Sequence, residues 1–94
     1  MTFSLIAHDP ETGQFGIAVA SRFFAVGALI PHFGRDCAIA SQALVNPMWG
    51  NEGLKLVERG LSLQNTLAAL KEKDNGADQR QVHIVNRHGE AICH

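Results

Sequence analysis

Polar side chains that could bind a substrate lie at the ends of two apolar strands of the predicted fold. Ser21 and Arg22 end one strand, and Ser41, Gln42 and Asn46 lie near the end of another. Hydroxyl and amide groups can donate hydrogen bonds to a substrate or to an oxyanion. The Arg22 guanidinium can hold a substrate carboxylate through two parallel hydrogen bonds. These five residues are the predicted substrate-binding set, and their ordinary alternatives are a strand-end hydroxyl, a surface arginine and a backbone cap.

Cysteine and histidine offer weaker possibilities for chemistry. Cys93 and His94 are adjacent, but neighbouring side chains of a strand point to opposite faces, so these two cannot form a dyad. His83 and His94 are predicted to share one face of a hairpin, which suggests a metal pair. No carboxylate motif accompanies that pair, so we predict no metal site. The phosphate-binding pattern GxxxxGK is absent from the chain.

The first strands are predicted to form a β-hairpin over Thr2 to Arg22, with its turn at Asp9 to Gly13. Proline at position 10 presets the turn, and Gly13 can adopt the positive φ that the chain needs there. The second strand has one bulky face, formed by Phe15, Ile17 and Val19. Its other face is nearly bare and consists of Gly16, Ala18 and Ala20. We predict that the hairpin is central and covered on both sides, by a packed element or by a ligand.

Two segments link this hairpin to the next strand. Phe23 to Pro31 is apolar, and the adjacent Phe23 and Phe24 suit an extended segment buried on both sides. Pro31 to Asp36 is predicted to be a loop. Cys37 to Val45 is predicted to be a third strand, again with small residues.

Two helices and a second hairpin follow. Asn46 is predicted to cap a helix that ends at Arg59 before Gly60. Ser62 caps a second helix, from Leu63 to about Lys73, with leucines at helical spacing. The strands Gln81 to Val85 and Glu90 to His94 form the last hairpin, with Val85 predicted to lie opposite Glu90. The predicted order is ββ-β-αα-ββ, a layered α+β fold.

Composition excludes several functions. The chain has 94 residues, a formal net charge of -1 and 46% hydrophobic residues, which suits one globular domain. Basic and acidic residues alternate, so nucleic-acid binding is disfavoured. No apolar run is long enough for a membrane span, and no secretory signal precedes the first strand. Cys37 and Cys93 match no zinc spacing, and free thiols predict a cytoplasmic location.

The last strand, from Glu90 to His94, has only begun when the sequence stops. Chains usually end in frayed surface residues, whereas this strand is apolar. We therefore expect residues 1–94 to be the N-terminal part of one domain that a second chain completes.

Three segments carry a family resemblance that spans nearly the whole chain. They read TFSLIAHDPETGQFGIAVASRFFAVGALIP, ASQALVNPMWGNEGLKLVERGLS and RQVHIVNRHGEAICH. The chain resembles the bacterial domain-of-unknown-function family 1028, which is grouped with the N-terminal-nucleophile (Ntn) hydrolases. The resemblance implies part of a four-layer αββα sandwich. It also implies amide-bond hydrolysis by an N-terminal Thr, Ser or Cys, with no cofactor.

The resemblance leaves two candidates for the nucleophile. Family members usually continue with threonine and glycine after the histidine at which this chain stops. Self-cleavage there would leave the new carboxylate on His94 and the nucleophile at the start of the partner chain. Thr2 opens the first strand and would gain a free amine if Met1 were removed. The partner-chain nucleophile is favoured because Met1 is present.

We therefore expect the first chain of a self-processed amidohydrolase that acts on a small-molecule amide. Its expected partners are the second chain of the same precursor and further copies in a homo-oligomer. One alternative is an inactive Ntn-like scaffold that binds a ligand, and another is a plain structural α+β domain.

Overall fold

A computed structural model describes residues 1–94. The predicted first hairpin is confirmed: β1 spans Thr2–His8 and β2 spans Phe15–Ser21. The two strands pair antiparallel from Thr2 opposite Ser21 to His8 opposite Phe15. Gly13 has a φ of 76° in the connecting turn. A side chain would strain the backbone in this left-handed region, which glycine enters freely.

A second, four-stranded antiparallel sheet has the strand order β3-β4-β5-β6. Its strands are β3 at Pro31–Phe33, β4 at Cys37–Ala43, β5 at Arg80–Asn86 and β6 at Ala91–Cys93. The prediction of a loop from Pro31 to Asp36 is therefore wrong at its start. Pro31 is tolerated because β3 is an edge strand, where a missing N–H costs no ladder bond.

The segment before β3 is also not extended as predicted. It contains the short helix α1 at Val26–Leu29, which begins after Ala25 in the left-handed region, at a φ of 58°. Phe23 and Phe24 are exposed rather than buried on both sides. Ala25, in the left-handed region, changes the direction of the chain. Phe23 to Pro31 therefore does not form one extended segment.

Both longer helices begin at their predicted caps. Helix α2 spans Pro47–Glu58, and the Asn46 side chain accepts a hydrogen bond from the Met48 N–H. Helix α3 spans Leu63–Glu72, and the Ser62 side chain accepts from the Asn65 N–H. Gly60 has a φ of 95° where α2 ends. A 3₁₀ turn at Ala77–Gln79 leads into β5.

The elements form three layers. Helices α2 and α3 cover one face of the four-stranded sheet, and the hairpin covers the other. Alternation along β4 divides its side chains accordingly. Cys37 and Ile39 join Trp49 of α2 in the hydrophobic core. Ala38 and Ala40 are fully buried on the hairpin side, and their small size allows the two sheets to approach closely.

The outward face of the hairpin is uncovered, so the prediction that both faces are covered is wrong for this chain. Phe3 is 71% exposed and Leu5 is 61% exposed on β1. The small residues of β2 are exposed beside Phe3 and Leu5: Gly16, Ala18 and Ala20. The bulky face of β2 lies inward and packs over β4.

The register of the last hairpin differs by one residue from the predicted one. Ile84 lies opposite Ile92, and His83 lies opposite Cys93. The Asn86 N–H donates to the Glu90 carbonyl at 3.0 Å, which closes the turn. The shift moves His94 to the face of Val82, away from His83.

The fold is a mixed α+β arrangement of two sheets and three α-helices. It has six strands rather than the predicted five, because β3 lies in the segment predicted to be a loop. None of its helices has the length and apolar character required to cross a membrane.

Gly50 allows α2 to approach β3, which gives a stability prediction. A Cβ at Gly50 would overlap the His32 ring, whereas one at Gly27 of α1 would meet nothing within 4 Å. Alanine improves helix preference by about 1 kcal/mol, but overpacking costs about 1–3 kcal/mol. We expect Gly50→Ala to lower the free energy of unfolding by about 1 kcal/mol, measured by urea denaturation.

The matched control is Gly27→Ala, which we expect to be neutral or slightly stabilising. A Gly50→Ala variant as stable as the Gly27→Ala variant would show that α2 does not pack this closely on β3.

Candidate functional site

The open end of the hairpin brings two hydroxyl side chains together. Thr2 and Ser21 lie directly opposite each other in the β1–β2 register. Their Oγ1 and Oγ atoms are 3.0 Å apart, a hydrogen-bond distance. The Ser21 Oγ also accepts from the Phe23 N–H at 3.2 Å. These contacts hold the Thr2 hydroxyl in one orientation at the rim of the inter-sheet space.

Gln42 connects this hairpin end to the four-stranded sheet. Its Nε2 donates to the Thr2 carbonyl at 3.4 Å and to the Gln81 Oε1 at 3.0 Å. Its Oε1 accepts from the Ser4 Oγ at 2.7 Å. The Gln42 carboxamide therefore uses both of its ends to bind the sheets to each other.

His83 extends the same chain of polar contacts. Its Nε2 lies 2.8 Å from the Ser4 Oγ. Burial between the sheets lowers the pKa of His83, because desolvation disfavours the charged imidazolium. The imidazole is therefore neutral at physiological pH, with one N–H and one free lone pair.

An apolar cleft of about 440 Å³ opens beside Thr2. Eight of its ten lining residues are hydrophobic. Its walls come from the β2–β3 connection, through Phe23, Phe24 and Leu29, and from the end of β4, through Leu44. This shape and chemistry suit an apolar group placed next to the Thr2 hydroxyl.

Asp74 and Arg80 hold the β4 side of this cleft. Arg80 makes two parallel hydrogen bonds to the Asp74 carboxylate, at 3.0 and 3.1 Å. Its Nη1 also donates to the Leu44 carbonyl at 2.7 Å. The hydrogen bonds from Arg80 are the main cause that holds the pKa of Asp74 well below its usual range, followed by the one from Asn46. Three of the five N–H donors of Arg80 are used in these bonds, which position the cleft wall.

Three of the predicted binding residues make no hydrogen bond with Thr2 or with the groups that hold it. Ser41 points to the helix side of β4, where it is fully buried and its Oγ has no hydrogen-bond partner. The Asn46 amide is used by the α2 cap and by Asp74, to which its Nδ2 donates at 3.0 Å. Arg22 is exposed and makes no ion pair. Alternation explains Ser41, because its neighbour Gln42 takes the opposite, hairpin-facing side.

His94 is also separated from this network, and the predicted pairing of His83 with His94 on one face is wrong. His94 faces the helices, where its Nε2 lies 3.0 Å from the Ala77 carbonyl. Its ring lies 6.1 Å from the Trp49 ring, between centroids. Its backbone exchanges two hydrogen bonds with Val82, at 2.8 and 3.1 Å. The last residue of the chain is therefore anchored in the sheet.

Sequence reasoning missed three members of the network, which are Ser4, Gln81 and His83. Ser4 follows Thr2 by two positions, so strand alternation alone places both hydroxyls on the inner face of β1. Gln81 and His83 share a face of β5 by the same rule. Their proximity to Ser4 depends on how the two sheets stack, which no local pattern indicates.

The Asp74–Arg80 pair predicts a specific dependence of stability on pH. The pKa of Asp74 is below its ordinary value of 3.8 in the folded state, so the charged carboxylate stabilises the fold at neutral pH. This stabilisation is complete above the unfolded-state pKa and is lost as pH falls below it. We expect Asp74→Asn to lower the urea midpoint at pH 7, with a smaller difference from wild type at pH 3.

Asp78→Asn is the control, because Asp78 is exposed and makes no ion pair. Equal urea midpoints for Asp74→Asn and Asp78→Asn at pH 7 would contradict a stabilising role for the Asp74 carboxylate.

Comparisons with other proteins agree with this fold. A model of DUF1028, a family of unknown function, matches residues 2–94. The chain is similar to the crystal structure of protein SPO2555 from Silicibacter pomeroyi, described as DUF1028, with a TM-score of 0.92 and 32% sequence identity. That similarity covers 99% of this chain and 44% of the SPO2555 chain. No protein with a curated description matches. The chain belongs to the DUF1028 family.

Proposed function

We propose that this chain carries the nucleophile of an Ntn-type amide hydrolase, and that the nucleophile is Thr2 after removal of Met1. The observation that carries the proposal is the Thr2 hydroxyl, held 3.0 Å from the Ser21 Oγ at the apolar cleft. Met1 is 100% exposed, so an aminopeptidase has access to it. None of the groups that hydrogen-bond to Thr2 is a side chain that could act as its general base. The α-amine freed by removal of Met1 would supply that base.

The reaction balances with the groups of this chain and one water. The unprotonated α-amine of Thr2 accepts the proton of its own hydroxyl as Oγ1 attacks the amide carbonyl carbon. The amide C–N bond breaks, and the leaving amine takes that proton. Water then hydrolyses the Thr2 ester and releases the acid. A free α-amino group has a pKa of about 7.7–8.0, which leaves a useful unprotonated fraction near neutral pH.

Ser21 and Gln42 are positioning residues for this step. Ser21 fixes the orientation of the Thr2 hydroxyl, and Gln42 holds the Thr2 carbonyl from the opposite sheet. Positioning of this kind converts a loose encounter into an aligned attack. Ser21 and Gln42 were both in the predicted binding set, and this role explains why they lie beside Thr2.

Backbone strain near the cleft supports a functional role. Ala25 and Ala43 are the two non-glycine residues with positive φ, at 58° and 69°. Ala43 lines the cleft, and Ala25 lies between Phe24 and Val26, which also line it. Such conformations cost about 1–3 kcal/mol each and cluster at functional sites.

The finer fold proposal is a four-layer αββα sandwich, of which this chain forms three layers. Phe3 and Leu5 leave an exposed apolar face on the hairpin, which a fourth layer would bury. The chain spans 44% of the SPO2555 chain, so a family-length protein has enough additional polypeptide to cover this face. We propose that a second chain of the same precursor supplies it, within a homo-oligomer.

A second candidate nucleophile is the threonine that follows the His94 position in family members. The two backbone hydrogen bonds between His94 and Val82 fix the local register of β6. A following strand residue would lie opposite Gln81, on the face that carries the Gln42 network. This candidate therefore approaches the same polar groups from the other strand.

Covalent labelling distinguishes these candidates. We expect a β-lactone to acylate Thr2 in protein purified with an untagged N-terminus, as located by peptide mass spectrometry. Thr2→Ala should abolish the adduct and lower kcat for an apolar acyl anilide by about 10³-fold or more, because the nucleophile is lost. Thr2→Ser should retain both.

Thr12→Ala is the control, since Thr12 lies in the exposed turn of the hairpin. An adduct on the residue after the His94 position would favour the second candidate. Absence of any adduct, with a small ligand still bound, would favour the inactive scaffold.

A further inference from the structure

A second, polar cleft lies between the hairpin and the β5–β6 edge. It has a volume of about 310 Å³, and its lining includes Ser4, Gln42, His83 and Cys93. The polar cleft shares no lining residue with the apolar cleft beside Thr2. Its combination of a thiol and an imidazole has no role in the proposed amide hydrolysis.

The register of β5 and β6 places His83 and Cys93 side by side. Val82 and His94 exchange both backbone hydrogen bonds, so the adjoining pair, His83 and Cys93, is a non-hydrogen-bonded pair. Side chains of such a pair point to the same face, with Cβ atoms about 4.5–5.5 Å apart. Cys93 is a free and exposed thiol.

Hydrogen-bond accounting determines which nitrogen of His83 is free. The Thr2 carbonyl can only accept, so the Gln42 end that faces it is the Nε2 amide and the other end is Oε1. Ser4 therefore uses its single hydrogen to donate to Oε1. The contact between Ser4 and His83 must then be donated by His83, so Nε2 carries the proton.

This tautomer leaves the lone pair on the His83 Nδ1. The Nδ1 atom has no hydrogen-bond partner in the protein. It is not one of the fully buried polar atoms that lack a partner, so it is accessible from solvent. A neutral imidazole whose other ring nitrogen donates a hydrogen bond is the usual arrangement of a metal-binding histidine.

We propose that His83 Nδ1 and Cys93 Sγ form a two-ligand site for a soft monovalent metal ion, Cu(I). Thiolate and imidazole ligands suit copper, and Cu(I) accepts two ligands in a near-linear arrangement. No group of three or more His, Cys, Asp or Glu side chains is arranged to hold a metal, which disfavours a closed tetrahedral zinc site. On binding, the Cys93 thiol releases its proton to solvent and no electron is transferred.

Ser4 acts on this site through His83. It accepts the Nε2–H bond, and Gln42 in turn holds the Ser4 hydroxyl, so both residues orient the imidazole. Loss of such a supporting bond typically weakens metal binding by about 10–100-fold. The polar network between the sheets would thus serve the Thr2 site at one end and the metal site at the other.

Competition with bicinchoninate under argon measures the Cu(I) affinity. We expect one ion per chain, with affinity reduced at least about 100-fold by Cys93→Ser or by His83→Gln, and about 10-fold by Ser4→Ala. His88→Gln is the matched control, because His88 is an exposed histidine in the β5–β6 turn. It should bind as wild type does.

X-ray absorption of the wild-type complex decides the ligand set without any variant. One sulfur and one nitrogen around copper are expected. Two sulfurs, no bound nitrogen, or an unchanged affinity in Cys93→Ser would overturn the proposal. Unfolding of a variant, monitored by circular dichroism, would leave the absorption result as the deciding one.

Discussion

The Gln42 carboxamide is the contact on which the arrangement of both sheets depends. It lies in the space between them and bonds to Thr2 and Ser4 on one side and to Gln81 on the other. Gln42 is half-buried, and a fully buried amide without partners costs about 1–3 kcal/mol, so these bonds favour this stacking of the hairpin by part of that amount. A shift of β1 by one residue would place Thr2 and Ser4 outward and leave Gln42 with Gln81 as its one remaining partner.

The small residues of β4 allow this contact to form. Ala38 and Ala40 hold the sheets close, and Gln42 follows on the same face as the sheets reach their rim. The apolar packing therefore brings the polar network within hydrogen-bond distance. The opposite face of β4 carries Ile39 against Trp49, so one strand supports the core and the candidate site together.

Local signals in the sequence predicted much of this fold. The caps Asn46 and Ser62 and the terminator Gly60 act within one helical turn, so their positions are confirmed. The short edge strand β3 was missed, because three residues show no periodicity. The predicted register of the last hairpin was wrong by one residue, because its loop has three residues rather than four. Arg87, His88 and Gly89 form this loop, and Gly89 has a φ of 80°.

The candidate site was predicted in part, for a related reason. Ser21 and Gln42 were predicted from their positions near strand ends and Thr2 from the family resemblance, and the structure brings the three together. Ser41 and Asn46 belong to the core and to a cap, which alternation and capping chemistry explain. His83 could not be assigned, since its place beside Ser4 depends on residues 79 positions apart and on sheet stacking.

The tautomer of His83 tests the hydrogen-bond chain that runs from Thr2 through Gln42 and Ser4 to His83. Long-range ¹H–¹⁵N correlation spectra at a pH above the pKa of His83 identify which ring nitrogen carries the proton. A single Nε2–H tautomer is expected, because the Thr2 carbonyl orients Gln42, Gln42 orients Ser4, and Ser4 accepts from His83. A proton on Nδ1, or an average of both tautomers, would contradict a chain of hydrogen bonds that joins the two sheets.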